Sequence, residues 1–327
     1  MLSIYAGGAS RLTRLTAALD APVPESAIWL DLLNPTPEEE KLVEQRMGVG
    51  IPTREEMQEI EVSSRLYVEG GARYMTATVL ANADTAPKLT NVTFILSEKR
   101  LVTVRYDEPR AIEAYVVRAC KGLPGPAATL NGATVMLGLL EAVIDRAADV
   151  LEKIGAEIDE TSSWIFERQS TTAGPNRRYV AVLRTLGRKG DLLSKSRESL
   201  VTIGRLVGFL NTEFDGQKLA ADIRSQLRTV GRDAQALSDH SFYLSSKVSF
   251  LLDATLGMVS IEQNDIIKLF SVVSVMLMPP TLIASIYGMN FHTMPELSWS
   301  FGYPYALGAM ALSALLPFLF FRWKKWL

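Results

Sequence analysis

The chain has 327 residues, 48% of them hydrophobic, and 34 Lys and Arg against 36 Asp and Glu give a net charge of -2. That length accommodates about two domains, and the balanced charge lacks the basic excess that marks nucleic-acid binding. Cys120 is the single cysteine, which excludes a disulfide framework within one chain and fits a reducing compartment.

The N-terminal stretch "MLSIYAGGASRLTRLTAALDAPVPES" has no basic segment leading into an apolar run, so no cleavable signal peptide is expected. Internal helices would have to direct any membrane insertion. "AIWLDLL", Ala27 to Leu33, reads as a short apolar strand. In "NPTPEEEKLVEQRMG" Thr36 is a helix N-cap, Pro37 takes the first helical position, acids fill the first turn and Gly48 ends the helix. "RLYVEGGARYMTATVLAN" reads as a hairpin turning at Gly70-Gly71, and "NVTFILSEKRLVTVRYDEP" as a second one around Glu98-Lys99. A helix begins after Pro109 and breaks at "GLPGP", Gly122 to Pro126. From Ala133 the pattern is helical, interrupted at "TTAGPNRR" (Thr171 to Arg178) and at "GFLNTEFDGQ" (Gly208 to Gln217). This order predicts an α/β domain followed by helices.

Beyond Lys218 no proline occurs until Pro279, and a spacing of three and four residues persists through Ile223, Leu227, Val230, Ala234, Leu237, Ser241, Leu244, Val248, Leu251, Thr255 and Met258. Such a stripe suits a long helix packed on neighbouring helices or on copies of itself. A helix of roughly 70 residues would extend about 105 Å. That is longer than one bilayer, so it reads as a stalk continuing into a membrane helix.

Charge then disappears. From Leu269 to Phe321 the ionisable side chains of Asp, Glu, His, Lys and Arg reduce to Glu296 and His292. "LFSVVSVMLMPPTLIASI" (Leu269 to Ile286) and "YPYALGAMALSALLPFLFF" (Tyr303 to Phe321) each approach the ~20 residues that span a bilayer as a helix. A buried core hairpin is the alternative. Lys268 precedes the first run, Arg322, Lys324 and Lys325 follow the second, and no Lys or Arg lies between them. The positive-inside rule therefore places both termini in the cytoplasm and the short loop outside, in an inner (cytoplasmic) membrane. Trp299, Tyr303, Trp323 and Trp326 stand where interfacial aromatics belong.

Within the first run, Asn264, Ile267, Ser271, Ser274, Met278, Thr281, Ser285 and Gly288 share one helical face. Small residues and hydroxyls serve tight helix packing and equally a water-filled path, and a ring of such helices would do both. No ionisable residue lies on this face inside the membrane. That favours an ion that keeps much of its water, as Mg²⁺ does.

"YGMNF", Tyr287 to Phe291, followed by "MPEL", Met294 to Leu297, resembles the signature of the CorA family of divalent-cation channels, in its Mg²⁺/Co²⁺ branch. "SWSFGYP", the terminal "KKWL" and the upstream "NVTFILSEKRLVTVRYDEP" extend the resemblance. It implies a funnel-shaped homopentamer in membrane lipid, with the long helix as stalk and pore lining and the second helix toward lipid. It also implies channel-type uptake of hydrated Mg²⁺, with Co²⁺ and Ni²⁺ as further cargo. Uptake would be driven by membrane potential and closed by cytoplasmic Mg²⁺, with no organic cofactor. Asn290 would form an outer amide ring on a loop held by Gly288 and Met289. Glycine frees the backbone at a helix end and an amide oxygen accepts from bound water; a helix cap is the other use of such an Asn. Thr281, Met278 and Asn264 would line the path below. His292 stands where many relatives carry Glu, leaving Glu296 as the loop's acid. Regulatory Mg²⁺ sites in the family lie between subunits and use acids. Asp253 matches one of them, Thr229 occupies the place of its expected partner, and Asp222, Asp233 or Asp84 could substitute.

The chain is thus divided into an α/β cytoplasmic domain (1–132), a cytoplasmic helical region (133–217) and a stalk helix continuing as the first transmembrane helix (218–288). An extracytoplasmic loop (289–302), a second transmembrane helix (303–322) and a basic cytoplasmic tail (323–327) complete it. A proton-coupled Zn²⁺ transporter on the same fold is the alternative function. A membrane-anchored enzyme or receptor is more remote, since there is no nucleotide loop, Cys/His cluster or GxSxG run, and His240 lies in a helical stretch.

Overall fold

The computed structural model describes residues 1–8, 10–15, 23–98, 100–122, 130–166, 175–214, 221–290, 294–324 and 326. It divides into two compact units. The first comprises Met1–Thr171 and Ala181–Leu251, and the second Thr172–Val180 and Leu252–Leu327.

The first unit opens with a seven-stranded sheet in the order β2-β1-β3-β7-β6-β5-β4. The strands are β1 (Leu2–Gly7), β2 (Leu12–Leu15), β3 (Ala27–Leu33), β4 (Leu66–Glu69), β5 (Ala72–Ala81), β6 (Lys88–Ser97) and β7 (Arg100–Arg105). Neighbours are antiparallel except β3 and β7, which run parallel from Trp29 opposite Leu101 to Leu33 opposite Arg105. Strand β3 occupies the stretch read as a strand from its apolar run. The β4–β5 hairpin turns at Gly70 and Gly71, whose φ values of 57° and 81° are left-handed. Two-residue hairpin turns favour that conformation, and glycine enters it without steric cost. In the second hairpin, β6 starts at Lys88, before the stretch read from the sequence, and Lys99 of its turn lies outside the described residues. Strands β1 and β2 were not anticipated.

Helix α1 (Pro37–Met47) carries a reciprocal capping box. Thr36 Oγ1 accepts from the Glu39 amide at 3.3 Å, and Glu39 Oε2 accepts from the Thr36 amide at 3.0 Å. Gly48 ends the helix at φ 65°. Leu2, Ile4, Leu30, Leu32, Val43, Tyr74, Ile95, Val102 and Val104 form the core on this side of the sheet. Because side chains alternate across a strand, Trp29, Asp31, Thr103 and Arg105 point to the other side. There α3 (Arg110–Lys121) and α4 (Gly132–Phe166) pack against each other and α4 packs on β7. Trp29 meets Tyr115 of α3 edge-on at 6.2 Å.

Helices α4, α5 (Pro175–Glu213) and α6 (Ala221–Tyr287) follow, with the single helical turn α2 (Val62–Arg65) set earlier before β4. Most of "GLPGP" lies outside the described residues, after Gly122. "TTAGPNRR" contributes its last four residues to α5, because Pro175 takes the first helical position where its missing N–H costs nothing. "GFLNTEFDGQ" is helical through Glu213, and its residues from 215 on lie outside the described set. Gly208 does not stop α5 because Leu206, Val207 and Leu210 are buried around it, and packing outweighs one glycine's propensity.

Helix α6 has 67 residues, about 100 Å at 1.5 Å per residue. Leu227, Val230, Ala234, Ser241, Leu244, Val248, Leu251 and Thr255 of its stripe are buried. In the first unit this stripe packs on neighbouring helices of the same chain: Ser241 Oγ donates to the Leu193 carbonyl of α5 at 3.0 Å, and Gly155 of α4 lies against Leu244. The last helix, α7, spans Gly302–Trp323.

Candidate functional site on the long helix

The second unit holds the C-terminal part of α6, a short loop and α7. Both helices are long and apolar enough to cross a membrane. Their apolar windows are largely exposed in the single chain, which opposes the alternative of a buried core hairpin.

The exposure follows the helical period. On α6 the more covered positions are Val272, Met276, Pro279, Pro280, Ile283 and Tyr287. On α7 they are Gly302, Ala306, Ala309, Met310, Ser313, Ala314, Pro317, Phe318 and Phe321. Two helices lying along one another produce this pair of patterns. The stripe read from the sequence lies roughly 180° around α6 from its covered face. Asn264, Ile267, Ser271, Ser274, Met278, Thr281, Ser285 and Gly288 are all exposed.

Three of the four hydroxyls on that face are oriented by the helix itself. Ser271 Oγ donates to the Ile267 carbonyl at 2.7 Å, Ser274 Oγ to Phe270 at 2.8 Å and Thr281 Oγ1 to Leu277 at 2.7 Å. Each proton is thereby committed to the backbone, and each oxygen faces outward as an acceptor.

The helix closes with the Gly288 amide on the Ala284 carbonyl at 2.9 Å, and the Met289 amide then bonds the Ile286 carbonyl at 3.3 Å. Gly288 is not left-handed, so freedom of φ at a helix end is not what this glycine supplies. A Cβ there would sit 3.1 Å from the Ala284 carbonyl oxygen, and close backbone approach is the reason that stands. Asn290 is exposed. It is not left-handed either, and no hydrogen bond ties its side chain among the described residues. A left-handed C-cap therefore does not account for it. Phe291 and His292 lie outside the described residues, as does the side chain of Glu296, whose backbone belongs to a helical turn, Pro295–Ser298. Aromatic side chains mark both ends of α7: Trp299, Phe301, Tyr303 and Tyr305 at one, Trp323 and Trp326 at the other, all exposed. Lys324 Nζ lies over the Trp323 ring at 5.6 Å.

The acids considered for regulation are in different surroundings. Asp253, Asp222 and Asp233 are exposed on α6. Asp84 is met by Arg146 at 2.6 Å, Arg110 at 2.7 Å and Lys153 at 3.5 Å. Partial desolvation pulls its carboxyl upward, but those three cations outweigh this and hold it below the ordinary carboxylate range. Thr229 Oγ1 donates to its own helix, at the Ser225 carbonyl. Among the described residues, no group of three His, Cys, Asp or Glu could hold a metal within one chain. Sequence reasoning passed over Glu141 of α4, whose carboxyl is pushed up by burial and by neighbouring Asp145 and Asp233. The spacing of Glu141 and Asp145, one helical turn apart, was the available signal.

Known proteins agree with this architecture. The family described as CorA-like Mg²⁺ transporter protein matches residues 24–325. The magnesium transport protein CorA of Haemophilus influenzae is 37% identical over 328 residues, covering all of both chains. That of Escherichia coli is 36% identical over 328 residues, again covering all of both. Among solved structures, the complete CorA magnesium transporter from Methanocaldococcus jannaschii superposes with a TM-score of 0.77 at 16% identity, covering 100% of this chain and 99% of that one. The full-length CmaX protein gives 0.72 at 13% identity, covering 100% and 98%. The α/β domain, the long helix, the C-terminal helix and the matched sequence together place this chain in the CorA-like Mg²⁺ transporter family, a family of transporters and not of enzymes.

Proposed function

We propose that the chain forms a homo-oligomeric channel, five copies by the resemblance, that passes hydrated Mg²⁺ into the cell, with Co²⁺ and Ni²⁺ as further cargo. The exposed acceptor face of α6 carries this reading. Water bound to Mg²⁺ turns its oxygen to the ion and its protons outward. A wall for such an ion must therefore accept hydrogen bonds. The oxygens of Ser271, Ser274 and Thr281 are acceptors because their protons are already given to the backbone. The Asn264 and Asn290 amide oxygens would serve at the two ends of the path, with Gly288 and Met289 presenting Asn290. Mg²⁺ dehydrates reluctantly, so a wall that exchanges hydrogen bonds with its shell lets it enter without a large desolvation cost. The membrane potential supplies about 4.6 kcal/mol per 100 mV for a divalent ion, twice the single-charge value.

The test is flux into proteoliposomes carrying the purified full chain. Uptake of Mg²⁺ should follow an inside-negative potential and continue without a pH gradient. Uptake that requires a pH gradient and prefers Zn²⁺ would establish the proton-coupled alternative instead.

Glu296 is the only acid of the outer loop, and several copies around one mouth would concentrate cations there. Glu296→Gln is expected to lower uptake most at low ionic strength, where screening is weak. A reduction of equal size at every salt concentration would assign Glu296 to loop structure.

Closure by cytoplasmic Mg²⁺ requires a site that binds better in the closed arrangement than in the open one. Asp253, exposed and without an ion-pair partner among the described residues, is the best placed acid on the stalk. Asp222 and Asp233 follow, and Asp84 last because three cations already surround it. Asp253→Asn should raise the Mg²⁺ concentration that halts flux and that protects the stalk from protease. Identical protection curves for wild type and variant would remove Asp253 from the role.

A further inference from the structure

The first turns of α6 carry opposite charges on opposite flanks. At about 100° per residue, Asp222 and Asp233 lie roughly 100° to one side of the buried line through Leu227, Val230, Ala234 and Ser241. Arg224 and Arg228 lie roughly 90° to 130° to the other side, and Arg232 faces away from the core. The neighbouring helices extend each flank. On the acidic side, Glu141 of α4 lies near both Asp145 and Asp233, and burial together with their negative charge pushes the Glu141 carboxyl up. Arg118 approaches Asp145 only at 3.9 Å. On the basic side, Arg224, Arg228 and Arg232 share an open groove with Asn211 of α5 and with Ser225 and Gln235. Gly231 brings α5 in close there, since a Cβ would meet Val207 Cγ1 at 3.0 Å. Arg228 and Arg232 have no carboxylate partner among the described residues; Arg232 reaches only Thr229 Oγ1, at 3.4 Å.

We propose that these flanks are the two halves of one contact between neighbouring copies, the arginine flank of one chain against the acidic flank of the next. The proposal rests on the homo-oligomer reading above. In a ring whose long helices run along the axis, chains touch at equal heights through two different surfaces, the head-to-tail arrangement that closes a cycle. Asp222 to Asp233 and Arg224 to Arg232 occupy the same height on one helix. Thr229 stands among the acidic residues where the family resemblance would put another acid. With arginines opposite, the contact is made by direct ion pairs and needs no metal bridge. If the pairing holds, Asp222 and Asp233 serve assembly rather than metal sensing, for which Asp253 stays the first candidate.

The experiment uses the full chain in detergent, its mass read by light scattering across a dilution series with and without chelator. Wild type should stay oligomeric in chelator. Arg224→Glu with Arg228→Glu, and separately Asp222→Arg with Asp233→Arg, should each raise the concentration of half-dissociation at least roughly tenfold, because like charges then face each other. The four changes together should return it to within about threefold of wild type, since the pairs re-form with reversed polarity. Because a reversal could also disturb folding, a second measurement uses Cys120→Ser chains. Copies carrying Arg228→Cys are co-reconstituted with copies carrying Asp233→Cys and treated with a short bifunctional thiol reagent. Mixed dimers should form, and neither variant alone should give them. An assembled wild type whose reversals change nothing, reversals that the combination does not rescue, or mixed dimers that fail to form would each overturn the pairing while leaving the channel reading intact. A wild type that is monomeric would overturn the oligomer reading itself.

Discussion

Asn290→Ala is expected to reduce Mg²⁺ uptake to the level of protein-free liposomes while the oligomer remains assembled. The residue follows the end of α6, on from a face that presents acceptor oxygens through the apolar segment. Its side chain is exposed and makes no hydrogen bond among the described residues, so within that set the truncation breaks no hydrogen bond. On the channel reading proposed above, it removes, once per copy, an amide oxygen at the mouth where a hydrated ion would first be met. A neutral acceptor can hold the ion's water without stripping it and still release it, and conduction requires both. Asn290→Asp should act differently. A ring of carboxylates would hold a divalent cation more strongly, so flux should fall while Mg²⁺ protects the outer loop at lower concentration. Wild-type flux through an assembled Asn290→Ala channel would exclude the amide ring. Loss of the oligomer would reassign the residue to loop structure.

The extent to which the sequence announced this molecule depended on how local each signal was. The Thr36 cap, the acids of the first turn and the Gly48 stop are all set within one helix, and the structure places them as the local pattern indicates. The Gly70-Gly71 turn is likewise a two-residue decision. The buried line of α6 was legible because its period runs from Leu227 to Thr255, about eight turns. Strands β1 and β2 were missed because "LSIYAG" and "LTRL" are short and weakly alternating, and β1 gains its place from pairing with β3, about 25 residues away. Gly208 looked like a stop because propensity is a local quantity, whereas the leucines and valine that keep α5 helical do so through tertiary burial. Asp84 looked like a free acid because Arg110, Arg146 and Lys153 come to it from two later helices. For the membrane face the sequence supplied the stripe. The committed hydroxyl protons, the exposure of the whole stripe and the backbone contact at Gly288 needed coordinates.

The largest effect on stability should come from Asp31, the one charged residue in the strand Ala27–Leu33. Arg105 Nε donates to its Oδ1 at 3.0 Å and Nη2 to its Oδ2 at 2.8 Å, a bidentate pair between the parallel strands β3 and β7. Thr103 Oγ1 donates to Oδ1 at 2.7 Å and itself accepts from Trp29 Nε1 at 2.9 Å. Trp29 is stacked on Tyr5 at 4.5 Å. Both charged residues are buried. Burial alone would lower the Arg105 pKa, but the hydrogen bonds and charge of Asp31 outweigh that and raise it. The pair is therefore coupled to the packing of the sheet's centre. Asp31→Ala leaves a buried guanidinium without its hydrogen-bonded carboxylate, which costs about 3–5 kcal/mol. At about 2–4 °C per kcal/mol, the melting temperature of the full chain in detergent should fall by roughly 6–20 °C. Asp31→Asn should fall less, since the amide oxygen can still accept from Thr103 or Arg105. The informative comparison is Asp31→Leu with Arg105→Met. Replacing both members of a buried pair by apolar residues of similar volume is often neutral or stabilising, so the double variant should recover most of the loss. If it melts as low as Asp31→Ala, the network through Thr103 and Trp29 contributes more to the sheet than the pair's own charges do, and the cost of an unpaired Arg105 is the wrong explanation. If Asp31→Ala melts with wild type, water reaches Arg105 in solution and the site is not dry.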